Sequence, residues 1–171
     1  MDWNLINLDD ETRAYMVAEL DGDVSAGRVF ASGRLSPQGH ATYQTLLRDA
    51  LASGTPESLS AALSAPGLFN PTETTTKGVV RRMASNAPAL LAGGEFNRYY
   101  MRGVSARSAT DGSGTVTIYR ARESGWHRDE SDAQIGRVLS APELLADLRD
   151  NTQSPERVDV PDVNSGLSVR L

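Results

Sequence analysis

Nine residues, Glu95-Phe96-Asn97-Arg98-Tyr99-Tyr100-Met101-Arg102-Gly103, hold three of the chain's eight phenylalanines and tyrosines together with two arginines. On a helix, Phe96, Tyr100, Gly103 and Arg107 fall at successive steps of three or four, and Glu95, Arg98 and Arg102 form an adjoining charged stripe. A strip of this kind either anchors a core or grips a partner. Three readings stand open: an amphipathic core helix with salt-bridged arginines, a protein interface of the Tyr-, Met- and Arg-rich kind, or a nucleic-acid site with stacking rings and phosphate-binding arginines.

Charge is segregated along the chain, although the net value is only −5. Residues 1–23 carry seven acids against Arg13, and residues 81–128 carry eight arginines against Glu95, Asp111 and Glu123. Beyond Arg128 there are nine acids against four arginines. Such a chain can fold its acidic ends onto its basic middle, or set acidic and basic faces of neighbouring copies together. The acidic total, with one lysine against sixteen arginines, makes non-specific DNA binding weak in expectation.

The helix signals are local and punctuated. Asp9 or Asp10 starts a helix through Tyr15, Met16, Val17 and Leu20, and Asp21-Gly22-Asp23 reads as its stop. Ser36-Pro37 opens a second helix ending near Gly54, and Thr55-Pro56 opens a third closed by Pro66-Gly67. Residues 68–84 have no helical period and read as an extended loop or reaching arm. Ser85 or Asn86 then caps a long helix to about Ala109. Gly93-Gly94 would cost it roughly 2 kcal/mol against alanines unless another backbone lies close there. Thr115 to Ala121 alternates as a strand, and Ser140-Ala141-Pro142-Glu143 is a capping box for a helix with Leu144, Leu145 and Leu148 on one side.

These elements predict an α+β chain: one mainly helical domain over residues 1–150 and an extended C-terminal arm over 151–171. At 171 residues such a domain can bury roughly 70% of its unfolded surface without staples. The arm's composition is polar, with Val158, Val160, Val163, Leu167, Val169 and Leu171 placed singly. The expectation is an arm that lies along a neighbouring subunit.

Candidate chemistry is sparse. Without cysteine there are no thiol nucleophiles, thiolate metal sites or disulfides. Of two histidines, His40 reads as a surface residue, and His127 sits among Asp129, Glu130 and Asp132 without metal-ligand spacing, so a metal enzyme or hydrolase there is a minor reading. No Gly-x-Ser-x-Gly elbow and no phosphate-binding glycine spacing occur. No stretch approaches 18 apolar residues and the first residues are acidic, so neither a membrane span nor a secretory leader is expected. The expectation is a non-enzyme with no catalytic residue, metal or cofactor.

At the strip, and at Asn164-Ser165-Gly166-Leu167-Ser168-Val169-Arg170-Leu171, the chain resembles uncharacterised proteins found among the virion structural genes of actinobacterial tailed phages and prophages. The similarity also touches Ile118-Tyr119-Arg120-Ala121, Ser131, Ile135-Gly136-Arg137 and the helix from Leu144-Leu145 to Arg149, so it spans the second half of the chain and part of the first. It implies a structural protein bound to the capsid, as a minor capsid or decoration protein, or to the head-to-tail junction. Its partners would be copies of itself and capsid, portal or connector proteins, and it would assemble in the host cytoplasm and reside in the virion. Contact residues expected on this reading are Phe96, Arg98, Tyr99, Tyr100, Arg102, Arg81, Arg82, Leu167, Val169 and Leu171. The alternative is a small nucleic-acid-binding or regulatory domain using Arg81, Arg82, Arg98, Arg102 and Arg107.

Overall fold

In the computed structural model, which describes residues 2–123, 129–151 and 161–171, one long helix is wrapped by everything else. Six helices and five short strands follow in the order α1 (Asp10–Ser25), α2 (Pro37–Ser53), α3 (Pro56–Leu63), β1 (Thr72–Thr74), β2 (Val80–Arg82), α4 (Ala87–Asp111), β3 (Thr115–Arg120), α5 (Asp129–Asp132), β4 (Val138–Ser140), α6 (Ala141–Asp150) and β5 (Leu167–Arg170). The fold is α+β and mainly helical, as the sequence pattern predicts.

The central element is α4, buried on every side from Ala92 to Ser105. It packs against α1, α2, α3, α6, β3 and β5. A helix buried all round needs neighbours close to its backbone, and its glycines provide that room. A Cβ on Gly103 would stand 2.6 Å from Met16 Cγ and 3.0 Å from the Thr12 carbonyl oxygen of α1. A Cβ on Gly93 would meet the Trp3 indole at 3.2 Å, and one on Gly94 would meet Asn164 Oδ1 at 2.5 Å. The glycine pair therefore leaves the helix unbroken: its propensity cost is offset by contacts that alanine would block.

The outer helices begin where their capping residues place them. Asp9 accepts from Thr12 N at 2.9 Å, Ser36 from Gly39 N at 3.0 Å, and Thr55 and Ser58 exchange bonds in a capping box. The Ser140 box does not form. Ser140 ends β4, opposite Thr115, and its side chain makes no cap bond to α6. Helix α1 also runs past the stop read at Asp21-Gly22-Asp23, to Ser25, because Asp23 is drawn inside. Arg13 of α1 reaches the C-terminal end of α2, donating to the carbonyls of Leu51 at 3.0 Å and Gly54 at 2.9 Å.

The described end of the expected C-terminal arm, residues 161–171, packs within this chain. Strand β5 pairs antiparallel with β3, Ile118 opposite Val169 and Arg120 opposite Leu167, in a sheet of order β4-β3-β5. Val163, Leu167 and Val169 are fully buried. The buried Asn97 amide of α4 donates to the carbonyls of Val163 at 3.1 Å and Leu167 at 2.8 Å, pinning the segment to the central helix. Burial of those apolar side chains within the same chain, and not along a neighbour, satisfies the alternation of Leu167 and Val169. Leu171 is exposed, although its backbone N–H donates to Asn7 Oδ1 at 3.1 Å. Residues 152–160, with Val158 and Val160, lie outside the described residues.

Residues 68–84 form a two-stranded antiparallel hairpin, β1 with β2, Thr72 opposite Arg82. Its root is fixed: Leu35 and Phe69 make a β-bridge, Asn70 N donates to the Arg34 carbonyl at 2.9 Å, and Glu73 takes both Arg34 (2.8 Å) and Arg81 (2.7 Å). Beyond the root, β1 and β2 pack substantially only on each other.

A chain ended at Gly166 should lose its cooperative thermal transition, followed by circular dichroism, because it removes buried Leu167 and Val169, the β5 pairing with β3 and one of the two carbonyls that accept from the Asn97 amide. A free arm, in contrast, could be deleted with the midpoint unchanged.

Candidate functional site

The charged stripe of α4 meets the acidic first helix inside the protein. Arg102 is 1% exposed. Its Nε and Nη2 both donate to Glu19 Oε2, at 2.9 and 2.7 Å, while Nη1 reaches Asp23 Oδ2 at 2.5 Å and Nη2 reaches Asp23 Oδ1 at 3.2 Å. Tyr99, one turn back, donates its hydroxyl to Asp23 Oδ2 at 3.0 Å and lies under the guanidinium, 5.1 Å from ring centroid to Cζ. Arg149 of α6 closes the far side of Glu19 with donations of 2.9 and 2.5 Å, and Arg28 approaches Asp23 at 3.6 Å. Three helices, α1, α4 and α6, are thus joined through two carboxylates.

The spacing explains the geometry. Glu19 and Asp23 are four residues apart on α1, Tyr99 and Arg102 three apart on α4, so each pair shares one face. The planar fork of arginine can meet two carboxylates at once, which an ammonium could not do with the same directionality. Burial pushes the Glu19 carboxyl upward, but donation from Arg149 and Arg102 outweighs it and holds the group below its ordinary value. Burial likewise pushes the Tyr99 hydroxyl well up, reinforced by the charge of Asp23.

A second buried pair lies one turn along α4. Arg98 Nε donates to Glu95 Oε1 at 3.2 Å and its Nη1 to the Asn151 carbonyl at 3.1 Å. Glu95 Oε2 has no hydrogen-bond partner among the described residues, and burial raises the carboxyl above its usual range against the opposing effect of Arg98. Further along, Arg107 joins Asp9 and Glu11 at the start of α1, each at 2.7 Å.

The sequence-predicted contact residues therefore divide. Phe96, Tyr99 and Tyr100 are 0% exposed, and Arg98, Arg102, Leu167 and Val169 are buried with them. They cannot form an outward face in this fold: the rings fill the core and the arginines are spent on Glu95, Glu19 and Asp23. Tyr100 also accepts the Asn7 N–H at 2.9 Å, holding the chain's first segment down. Arg81 and Arg82 lie exposed on β2, Arg81 bound to Glu73, and Leu171 is exposed. Of the five arginines in the nucleic-acid reading, Arg98 and Arg102 are inside and Arg107 is held by Asp9 and Glu11. Only Arg81 and Arg82 of the five are exposed.

His40 is exposed on α2; His127 lies outside the described residues, while the acids read beside it fall on α5, Asp129–Asp132. Among the described residues no group of three or more His, Asp or Glu side chains is placed to hold a metal ion. No described helix is long and apolar enough to cross a membrane. The residues missed by reading the sequence are Glu19, Asp23, Arg149 and Asn97. The i, i+4 acids of α1 and the run of acids against a basic middle were the available signal, but no local pattern named their partners.

Two clefts of about 300 Å³ open on either side of the glycine pair of α4. One lies between Trp3, Pro56, Glu57, Ala61 and Gly93, the other between Phe30, Arg34, Leu90, Leu91, Glu95 and Asn164. No family model, curated protein or solved structure matches the chain.

Acid should act on the network in a defined direction. The lowered Glu19 contributes stability that is full above its unfolded value of 4.5 and is lost as pH falls through its folded value. The raised Glu95 acts oppositely, its contribution being present below 4.5 and lost as pH rises through its folded value. Urea titrations between pH 6 and 3 should show a fall in stability below about 4.5 that Glu19→Gln makes shallower. Tyr99→Phe, which removes one donor to Asp23, should cost about 1 to 3 kcal/mol in the same assay.

Proposed function

We propose that this chain is a non-enzymatic structural protein of a tailed-phage virion, bound to the capsid or to the head-to-tail junction through its β1–β2 hairpin. The observation that carries the reading is the hairpin itself, which projects from a fixed root and presents an apolar and basic tip. Val79 and Val80 are 59% and 66% exposed, and Lys77, Arg81 and Arg82 stand beside them against Glu73. Thr75 N donates to the Val79 carbonyl at 2.9 Å and Gly78 N to the Thr75 carbonyl at 2.8 Å, so the tip is an ordered turn.

Two adjacent exposed valines on an element that packs mainly on itself form a small apolar face that a partner can cover. The strands are three residues long and leave unpaired backbone edges, which suits addition to a partner's sheet, while the cations favour an acidic surface. The resemblance to phage virion proteins supplies the class of partner: capsid, portal or connector protein, or further copies of this chain. The helix α4 takes the role of internal scaffold, and β5, held inside, is not the reaching element.

The replacement Val79→Ser with Val80→Asp should leave the circular dichroism and melting midpoint of the isolated protein within about 0.5 kcal/mol of wild type, since surface changes away from packing are small. The same double variant should weaken retention on immobilised capsid or portal protein at least tenfold. Wild-type protein that stays monodisperse, is not retained by either partner and is absent from virions by mass spectrometry would overturn the proposal. Salt-sensitive retention on DNA, abolished by Arg82→Ala, would favour the nucleic-acid reading in its place.

A further inference from the structure

The cleft lined by Phe30, Arg34, Leu90, Leu91, Glu95 and Asn164 is about 300 Å³, at the small end of the range for small-molecule sites. Its wall is mostly apolar, from Phe30, Ala87, Leu90 and Leu91, with a few polar groups converging on it. Glu95 is the unusual one. A carboxyl that is 3% exposed normally has both oxygens bonded, yet only Oε1 is served, by a single 3.2 Å donation from Arg98.

The neighbouring charges do not reach the second oxygen. Arg102 is taken up by Glu19 and Asp23, and Arg34 at the rim is bonded to Glu73 at 2.8 Å. Tyr43, buried behind, leaves its own hydroxyl without a partner among the described residues and gives Glu95 no donor. Glu95, one of the residues that line this mostly apolar cleft, thus carries a buried acceptor, Oε2, with no hydrogen-bond partner among the described residues. Beside it is Asn164, an exposed side chain set against Gly94 that can swing aside without disturbing the core.

We infer that this cleft binds a small organic cation, a primary ammonium on a compact apolar body, with the ammonium donating to Glu95 Oε2 and the apolar part seated on Leu90, Leu91 and Phe30. A charged donor supplies the hydrogen bond that Arg98, already paired with Oε1, leaves unmade at Oε2. The apolar wall then selects for a hydrocarbon body over a hydrated ion. The cleft lies apart from the hairpin tip that carries Val79 and Val80, and shares with the hairpin only the rim residue Arg34, bonded to Glu73 at its root.

Benzylammonium chloride, titrated into ¹⁵N-labelled protein at neutral pH and constant ionic strength, is the probe. Saturable shifts are expected in the amides of Leu91, Gly94 and Glu95, with benzyl alcohol at least tenfold weaker. Glu95→Gln should weaken benzylammonium at least tenfold, provided its spectrum shows the native dispersion. Leu90→Trp, at a half-buried wall position that leaves Glu95 in place, should block the cleft and serves as the test if Glu95→Gln does not fold. The inference is overturned if wild-type shifts do not saturate, if benzyl alcohol binds as well as benzylammonium, or if either folded variant keeps wild-type affinity.

Discussion

Arg102 is the residue on which the remaining structure depends. A fully buried guanidinium is tolerable only when its charge and its donors are matched, and Glu19 and Asp23 together provide four side-chain contacts of 3.2 Å or less. Because the two acids sit on α1 and the arginine on α4, the match fixes the relative register of the two helices. Gly103 allows the approach by leaving no side chain between α4 and the backbone of α1 at Thr12. Arg149 then ties α6 to the same carboxylate through both of its oxygens, Oε2 shared with Arg102 and Oε1 held by Arg149. Hydrophobic burial around Phe96, Tyr100, Met101 and Val104 supplies the driving force, and the ion network decides how the helices align.

The charge segregation of the chain finds its explanation here. The acidic first segment meets the basic middle at two levels along α4: Asp9 and Glu11 with Arg107, and Glu19 and Asp23 with Arg102, where the Tyr99 hydroxyl also donates to Asp23. These contacts lie within one chain. They account for the segregated charge without head-to-tail copies. The same geometry accounts for the unequal fates of the arginines, with those on α4 serving the fold and those on β2 facing outward.

Helix starts were legible because they are written locally: Asp9, Ser36 and Thr55 each satisfy an amide three residues on. The long helix through Gly93-Gly94 was legible too, with the close neighbours being Trp3 and Asn164 in place of a second helix backbone. The sheet was only half visible. Strand β3 alternates over six residues, whereas β4 and β5 are three and four residues long and are specified by pairing with β3 from a distance in sequence. Leu167 and Val169 alone look like isolated apolar residues in a polar tail; only the presence of β3 and Asn97 turns them into core. Asp21-Gly22-Asp23 misled for the same reason, since the local preference to stop is weaker than the demand of Arg102 for a carboxylate at position 23. Of the candidate site, the strip on α4 was found from sequence, but its orientation was not: rings and arginines on adjoining faces fit a core and an interface equally until the acids of α1 are placed.

The most direct test is whether the buried network is a register lock within a single chain. Arg102→Met should cost about 3 to 5 kcal/mol in urea unfolding, because Glu19 and Asp23 would be left buried without their main countercharge. The triple variant Arg102→Met, Glu19→Met, Asp23→Leu should recover much of that loss, as apolar groups of similar volume replace the matched charges. A single Arg102→Met variant that unfolds within about 0.5 kcal/mol of wild type, or a triple variant no more stable than the single, would contradict the account.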